Sequence, residues 1–139
     1  MSLERTLGII KPNAVQNRHV GDILSAIEGE GFAIRGLRMV RLSSGIIRGF
    51  YAEHVSKPFF PELEAFMSEG PLVLLILEGE NVISRWREIM GATDPSKAAP
   101  GTLRQRYSDS FTKNAVHGSD SPVSAEREVN YFFSAFDKV

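Results

Sequence analysis

Residues 71–77, with the sequence PLVLLIL, constrain the fold of this chain more than any other segment. The run is apolar throughout, so a strand built from it would have both of its faces buried. Such a strand must lie inside a sheet, with other elements packed above and below it. The run is also far too short to cross a bilayer, which takes a helix of about 20 apolar residues. The sequence therefore predicts a layered domain with a sheet in its middle.

The rest of the chain alternates between strand and helix patterns. RTLGIIKP at residues 5–12 is typical of a buried strand that ends at its proline. Residues 20–31 place apolar side chains at helical spacing and end in glycines. Residues 33–41 alternate as a half-buried strand does. The later segments predict seven further elements. They are a helix at 43–54, a helix at 60–70, a strand at 71–77, a helix capped by Asn81 at 81–91, a long loop at 92–113, a strand at 115–117 and a helix at 124–136.

This order contains the βαββαβ unit of a ferredoxin-like fold. We expect an α+β fold, a ferredoxin-like α/β sandwich with a four-stranded antiparallel sheet, added helices and a long loop. A loop of about 20 residues is unusual in so compact a domain and is usually functional or disordered. Thr93 and Arg104 lie in it and Asn114 follows it, which favours a functional loop. The chain of 139 residues shows no repeat or linker pattern, so we expect one domain over residues 1–139.

The composition excludes several classes of function. A formal net charge of −1 gives no general attraction to nucleic acid or to an anionic membrane, so neither is an expected partner. The chain has no cysteine, which excludes a disulfide scaffold, a cysteine zinc site and a thiol nucleophile. The first residues carry no basic segment followed by a long apolar one, so no secretory signal is predicted. We expect a cytoplasmic protein.

Polar side chains that could act on a ligand fall at predicted strand ends and in loops. They are Lys11, Tyr51, Arg87, Thr93, Arg104, Asn114 and His117. Two arginines, a lysine and a threonine could form a phosphate-binding site, because guanidinium groups bind phosphate oxygens in pairs. Any one arginine taken alone is more often a solvated surface residue. The sequence has neither the GxxxxGK nor the GxGxxG fingerprint, so side chains would have to hold the phosphate.

His117 lies in NAVHGSDSP, residues 114–122, among glycine, serines and an aspartate. These residues allow a nucleophile, a metal ligand, a member of a Ser-His-Asp triad or an ordinary loop histidine. No two histidines have the spacing of a metal site, and neighbours in sequence rarely form a triad. Glu128, on the last predicted helix, could bond one imidazole nitrogen and leave the other nucleophilic, or could simply be solvated. His19 and His54 are expected at the surface.

Seven motifs in order carry a resemblance to a known family. They are IIKP, FYAEH, KPFF, LEGENVI, REIMGATDP, APGTLR and NAVHGSDS. Together they closely resemble nucleoside diphosphate kinase of the bacterial type, from about Arg5 to Phe133. The resemblance implies a ping-pong enzyme that moves the γ-phosphoryl group of a nucleoside triphosphate, mainly ATP, onto a histidine and then onto a nucleoside diphosphate. It also implies broad tolerance of base and sugar.

The resemblance also assigns roles to residues of the reaction centre. His117 matches the phosphoryl acceptor, Glu128 and Ser119 match the groups that orient it, and Tyr51 matches a tyrosine near the phosphohistidine. The positions that match phosphate-binding residues of the family are Lys11, Arg87, Thr93 and Arg104. Phosphoryl transfer needs in-line positioning and neutralisation of negative charge, which such residues and Mg²⁺ supply.

Further residues match contacts to the nucleoside. Asn114 and Lys11 match contacts to the sugar hydroxyls, and Phe59 matches the aromatic ring on which the base stacks. The long loop becomes a nucleotide-binding loop. Mg²⁺ is implied as cofactor, held mainly by phosphates and water, with Asp120 assisting through water. The family also implies a homo-oligomer, a tetramer or hexamer built from dimers.

Four residues depart from the family pattern. Asn13 stands where aspartate is usual, and we expect it to keep a capping oxygen and to have a modest local effect. Phe111 replaces a smaller residue beside the base, which predicts a tighter base slot. Lys113 replaces an acidic or neutral residue, and Trp86, next to Arg87, is expected to face elsewhere. None of these changes removes a chemical group that the reaction needs.

Two alternatives to an active kinase are open to the sequence. One is a catalytically inactive relative that binds nucleotides in a regulatory role, and such a copy would be expected to lose the histidine or a phosphate ligand. The other is a histidine phosphohydrolase on an unrelated fold. The chain keeps all the matching residues, which favours the active kinase.

Overall fold

The apolar run at residues 71–77 belongs to a central strand in the computed structural model, which describes residues 2–139. Met1, which the predicted domain includes, lies outside the described residues. Within residues 2–139 the chain forms four strands: β1 at Leu3–Ile10, β2 at Ala33–Val40, β3 at Leu72–Glu80 and β4 at Val116–Gly118.

Helices connect these strands and cover the sheet on both faces. Between Ser2 and Val139 there are seven α-helices: α1 at Pro12–Gln16, α2 at Val20–Gly29, α3 at Ser44–Phe50, α4 at Phe60–Ser68, α5 at Val82–Met90, α6 at Leu103–Tyr107 and α7 at Pro122–Phe132. Single turns of 3-10 helix lie at Ala52–His54, Pro95–Lys97 and Ala135–Asp137. No helix in this part of the chain is both long enough and apolar enough to cross a membrane.

The strands form one antiparallel sheet with the order β2-β3-β1-β4. β4 lies at one edge and pairs with β1 so that His117 is opposite Ile9. A backbone hydrogen bond from Lys11 to Ala115 (2.7 Å) extends this pairing beyond the strand. The strand order and the two crossover connections are those of a βαββαβ sandwich. The predicted α+β, ferredoxin-like fold is confirmed.

Each face of β3 contributes to a separate apolar core, because successive residues of a strand point to opposite sides of the sheet. Leu75 and Leu77 pack in a buried cluster with side chains of α2 and α5. Leu74 and Ile76 pack in a second cluster with side chains of α3, α4 and α7. Both faces of β3 are therefore closed to water, as its apolar sequence predicts.

The predicted cap of α5 differs from the observed one. Asn81 occupies the N-cap position with a φ of 52°, but its side chain makes no capping hydrogen bond. Glu4 of β1 supplies the cap instead, because its Oε1 accepts a hydrogen bond from Ile83 N at 3.3 Å. The cap comes from a strand 79 residues away, so no local pattern could predict it.

The predicted loop at residues 92–113 contains regular structure. Thr102 caps α6 inside it, accepting a hydrogen bond from Gln105 N at 3.4 Å. Asp94 caps the turn at Pro95–Lys97. Both elements are too short to show an apolar period, so the capping residues were the only local signal for them.

Smaller differences concern element ends. α1 was not predicted, because a single turn of five residues gives no helical period. β4 begins at Val116, since Ala115 has a positive φ of 74° and leaves the extended conformation. The last helix ends at Phe132, and a separate 3-10 turn follows it at Ala135–Asp137.

Ser121→Ala should destabilise the protein through the start of α7. Ser121 Oγ accepts from Ser124 N at 3.1 Å, and Ser124 Oγ accepts from Ser121 N at 3.0 Å, which is a reciprocal cap. We expect the free energy of unfolding in urea to fall by about 1 kcal/mol. Ser56→Ala, at an exposed position outside the helices and strands, is the control and should change it by less than about 0.5 kcal/mol. Equal losses in the two variants would contradict the cap.

Candidate active site

β4 brings His117 into contact with the last helix. His117 Nε2 lies 2.8 Å from Glu128 Oε1 on α7, and Ser119 Oγ donates to the same oxygen at 2.7 Å. Ser119 Oγ in turn accepts a hydrogen bond from Leu7 N of β1 at 3.3 Å. The ring of Phe50 packs edge-on against the imidazole, with the centroids 5.4 Å apart. A line of hydrogen bonds therefore runs from the backbone of β1 to the imidazole and fixes the orientation of the ring.

The protonation of His117 follows from its surroundings. Burial lowers the pKa of His117, and the charges of Lys11 and Arg104 lower it further. The hydrogen bond to Glu128 raises the pKa of His117, but the result is a pKa below the usual value of histidine. Burial raises the pKa of Glu128, but the bonds from His117 and Ser119 outweigh burial and leave that pKa lowered. At pH 7 a neutral imidazole therefore faces an ionised carboxylate. Nε2 carries the proton, and Nδ1 keeps a free lone pair.

Tyr51 lies beside this pair, directly after α3. Its ring meets Phe50 edge to face, with centroids 4.8 Å apart. Burial and then the charge of Glu128 raise the pKa of the Tyr51 phenol. The hydroxyl therefore stays protonated and can donate a hydrogen bond to a ligand beside His117.

Three cationic side chains surround the same space. Lys11 and Arg104 are buried, with 6% and 8% of their surfaces exposed, whereas Arg87 on α5 is exposed. Lys11 Nζ donates to Asn114 Oδ1 at 2.7 Å. Two nitrogens of Arg104 donate to main-chain carbonyls at 3.0 and 2.9 Å, the second of them that of Val116. Arg104 Nε is buried and has no hydrogen-bond partner among residues 2–139.

Among residues 2–139, neither Lys11 nor Arg104 forms an ion pair with a carboxylate. Burial, and then the charge of Arg104, lower the pKa of Lys11 to about 7. Burial, and then the charge of Arg87, lower the pKa of Arg104 to about 10. An anionic group placed between them would reduce this repulsion and could accept a hydrogen bond from Arg104 Nε. The arrangement is therefore suited to phosphate.

Asn114 links two walls of the site. Its Oδ1 accepts from Lys11, and its Nδ2 donates to Thr93 O at 3.1 Å. Both polar atoms of the side-chain amide thus join Lys11, which follows β1, to the loop after α5. Thr93 itself is exposed at the mouth of the site, where its hydroxyl can meet a ligand.

Aromatic rings lie at the solvent-exposed end of the site. Phe59 and Phe111 are 49% and 63% exposed, which is a costly state for rings of this size in water. His54, predicted at the surface, is half buried beside Phe59, with ring centroids 5.7 Å apart, and its Nδ1 has no partner in the described chain. Its place in the FYAEH motif was the signal that it belongs to the site. His19 is also half buried, with its ring tilted against that of Tyr107 away from the site.

All but one of the predicted site residues line a single cavity of about 680 Å³. They are Lys11, Tyr51, Phe59, Arg87, Thr93, Arg104, Asn114, His117, Asp120 and Glu128. Ser119 is fully buried and reaches the cavity only through Glu128. The volume is typical of a small-molecule site.

Two of the chemistries that the sequence left open do not fit this geometry. The described residues hold no group of three His, Cys, Asp or Glu side chains that could bind a metal ion. Asp120 accepts a hydrogen bond from Ser124 Oγ at 2.7 Å, whereas the partner of His117 is Glu128. Within residues 2–139, neither a metal site built by the protein alone nor a local Ser-His-Asp triad is formed.

Comparisons with known proteins show the family of this chain. The family model described as nucleoside diphosphate kinase matches residues 4–138. This chain belongs to the nucleoside diphosphate kinase family. The predicted family and enzyme class are confirmed.

Two solved structures are similar to it over nearly their whole lengths. The nucleoside diphosphate kinase of Aquifex aeolicus is 44% identical, with a TM-score of 0.96, and the match covers 99% of this chain and 100% of that one. A halophilic nucleoside diphosphate kinase from Halobacterium salinarum, in complex with CDP, is 37% identical, also with a TM-score of 0.96, over 99% and 92% of the two chains.

Asn13, which departs from the usual family residue, has a different role from the one predicted. It provides no capping oxygen, because α1 has no side-chain cap and Asn13 Oδ1 has no partner in the described residues. Its amide nitrogen lies 3.2 Å from Tyr107 O, 3.0 Å from Asp109 Oδ2 and 3.1 Å from Lys113 O. Asn13 therefore holds in place the segment that leads into Asn114.

The other departures lie around the same segment or behind β4. Lys113 Nζ is 3.7 Å from Glu69 Oε1 on the surface. Phe111 lines the cavity, as predicted from its position. Trp86 faces the core and not the cavity, yet its Nε1 donates to the carbonyl oxygen of His117 at 3.1 Å.

Asn13→Asp should loosen the segment that leads into Asn114. A carboxylate at this position would face three acceptors without a hydrogen to donate, inside a buried site. We expect the free energy of unfolding to fall by about 2 kcal/mol and KM to rise for donor and acceptor nucleotides alike. The matched control is Asn17→Asp, because Asn17 Nδ2 also donates to Asp109 Oδ2, at 3.1 Å, but in an exposed position. A loss in Asn17→Asp as large as in Asn13→Asp would show that charge repulsion alone is responsible.

Proposed function

We propose that this kinase transfers the γ-phosphoryl group of a nucleoside triphosphate, mainly ATP, to a nucleoside diphosphate through a phosphohistidine at His117. The observation that carries the proposal is the pairing of His117 Nε2 with Glu128 at 2.8 Å, which leaves Nδ1 free and neutral beside Lys11 and Arg104. A neutral imidazole is nucleophilic near pH 7 and is also a good leaving group from phosphorus.

The first half-reaction uses the cationic end of the cavity. The phosphates of the donor lie between Lys11, Arg87 and Arg104, with Thr93 donating a hydrogen bond at the mouth. These groups hold the γ-phosphorus in line with His117 Nδ1 and neutralise charge on its oxygens. Nδ1 forms the bond to phosphorus as the bond to the leaving diphosphate oxygen breaks.

The second half-reaction reverses these steps with another nucleotide. The donor's diphosphate leaves, and an acceptor diphosphate takes its place on the same side chains. Its terminal oxygen attacks the phosphorus of phosphohistidine, and the bond to Nδ1 breaks. Glu128 and Ser119 keep the ring oriented through both steps, and the protonated hydroxyl of Tyr51 can donate to the transferred group.

The nucleoside is held at the aromatic end. Phe59 offers its exposed ring face to the base, with Phe111 at the same end of the cavity. Stacking uses the π-face that every base has, so it discriminates little between bases. We infer that Asn114 and Lys11 contact the sugar hydroxyls. Broad tolerance of base and sugar follows from this mode of binding.

Mg²⁺ is the proposed cofactor, bound together with the nucleotide. The described residues form no carboxylate cluster for it, and Mg²⁺ commonly keeps waters and binds phosphate oxygens. A hydrogen bond from Ser124, and then the charge of Arg87, lower the pKa of Asp120, which is therefore ionised at the edge of the cavity. These residues fit an ion held mainly by phosphates and water, with Asp120 reaching it through water. When bound, the ion would neutralise charge on the phosphates.

We also propose a homo-oligomer, a tetramer or hexamer built from dimers. β2 is an edge strand of the sheet, and its Leu37 and Met39 are 55% and 59% exposed. An unpaired edge with apolar side chains is a surface that another copy can cover. The single domain over residues 1–139 and the cytoplasmic location stay predictions.

Incubation with ATP labelled in its γ-phosphate tests the proposed reaction. We expect an acid-labile, alkali-stable phosphoprotein, which GDP discharges with formation of labelled GTP. His117→Ala should carry no label, whereas His19→Gln, the matched control away from the cavity, should label as the wild type does. Nucleotide binding without labelling would favour the inactive regulatory relative, and release of free phosphate without GDP would favour a hydrolase.

The pH dependence of binding should report Lys11. Because the pKa of free Lys11 is about 7, the side chain is largely neutral above that pH and must take up a proton when phosphate binds. The dissociation constant of ADP should therefore rise between pH 7.5 and 9, by at most about tenfold per pH unit. Well below the pKa, Lys11 is already protonated in the free protein, so its titration should leave the dissociation constant unchanged. Calorimetry in buffers of different ionisation enthalpy measures the proton uptake directly. Lys11→Arg should remove most of the uptake, and equal uptake in both proteins would contradict the assignment.

A further inference from the structure

Trp86 lies directly behind the strand that carries His117. It is fully buried in the core cluster formed with α2 and α5. The imidazole of His117 points to the other face of the sheet, where it meets Phe50 of the second cluster. The indole and the imidazole are therefore on opposite faces of β4, joined by the 3.1 Å hydrogen bond from Trp86 Nε1 to the His117 carbonyl oxygen.

Gly118 makes room for the indole, whereas a Cβ at Gly8 would make only ordinary contacts with it. Gly8 of β1 and Gly118 of β4 are paired across the sheet. A Cβ at Gly118 would lie only 2.5 Å from Trp86 Cδ1, and one at Gly8 would lie 3.7 Å from Trp86 Nε1. Glycine inside a strand commonly marks such a close approach. The requirement at Gly118 is therefore space for the ring of Trp86 behind β4, whereas the cavity lies on the other side.

β4 is a short strand whose carbonyls are held by two side chains from other elements. It is three residues long and lies at the edge of the sheet, so β1 is its one neighbouring strand. Two side chains from other elements hold its carbonyls, namely Arg104 at Val116 and Trp86 at His117. Arg104 lines the cavity and would also meet the phosphates, but Trp86 does not line it. Trp86 thus contacts His117 without any ligand being bound.

We propose that Trp86 is a positioning residue for phosphoryl transfer. By binding the carbonyl of His117 from behind, it fixes the backbone from which the imidazole projects, and with it the line of approach of Nδ1 to phosphorus. This inference rests on the proposed role of His117. It predicts an effect on the rate of transfer and not on nucleotide binding, since the indole touches no part of the cavity.

Trp86→Phe in the full chain tests this inference, because it keeps an aromatic ring in the core and removes the N–H donor. We expect the single-turnover rate of phosphohistidine formation at saturating ATP to fall about tenfold, since displacement of a reacting group by a fraction of an ångström has effects of this order. KM for nucleotides should change less than twofold. The matched control is Phe32→Leu, in the same core cluster but away from β4, which should leave the rate within twofold once corrected for the folded fraction.

The outcomes separate the two proposals. If wild-type protein forms no phosphohistidine, the proposed function fails. If it does, but Trp86→Phe reacts at the wild-type rate, or loses no more than Phe32→Leu, the positioning role of Trp86 is overturned. A rise in KM in proportion to the fall in rate would also overturn it, because that result indicates a general loss of structure.

A measurement on the wild-type protein tests the same inference without depending on the folding of a variant. Trp86 is the only tryptophan of the chain, so its indole N–H gives a single side-chain cross-peak in a ¹H–¹⁵N NMR spectrum. We expect that peak to shift when ATP phosphorylates the protein and to return when GDP is added. In His117→Ala the same additions should leave it in place. An unmoved indole peak in phosphorylated wild-type protein would contradict the coupling between the two residues.

Discussion

The site depends on the pairing of β4 with β1. Only three residues of β4 take part, yet they place His117 opposite Ile9 and continue into the bond between Lys11 and Ala115. Because β1 lies inside the sheet and is covered on both faces, its position is fixed. The short β4 can therefore pair with it in a defined register. Lys11 and Asn114, 103 positions apart, meet at 2.7 Å for this reason. The geometry of the candidate site is thus a direct product of sheet register.

The second feature of the site is its unbalanced positive charge. Lys11 and Arg104 are held in a buried position by their bonds to Asn114 and to main-chain carbonyls. Burial lowers both pKa values, and the charge of Arg104 lowers that of Lys11 further, as the charge of Arg87 does for Arg104. The cost of bringing these charges together is met when the chain folds, by the burial of the two cores. A phosphate that enters finds its donors already in place, with little reorganisation left to do at the moment of reaction.

The elements that could be predicted from the sequence were those whose signal is local. The apolar run of β3, the helical spacing of α2 and the ordered motifs around His117 are of this kind. The cap of α5 could not be predicted, because Glu4 reaches it from β1. The hydrogen bonds of Asn13 could not be predicted either, because its partners are the last residue of α6 and two residues that follow that helix. Trp86 is the clearest case. Its place next to Arg87 on a helix predicted only that its side chain faces away from Arg87, whereas its bond to His117 depends on how α5 packs against β4. Contacts made in three dimensions between distant segments have no counterpart in local sequence.

The hydrogen bond between Glu128 and His117 has a consequence for the proton balance of the proposed reaction. In the proposed mechanism Nε2 keeps its proton throughout, so Nδ1 has none to give up when it attacks and needs none when it leaves. No base has to be regenerated between turnovers, and the same side chains serve the forward and the reverse half-reaction. The bond broken in the donor and the bond made in the acceptor are both phosphoanhydrides, so their free energies nearly cancel. The direction of net transfer is then set by the relative concentrations of the nucleotides around the protein, and the protein itself favours neither direction.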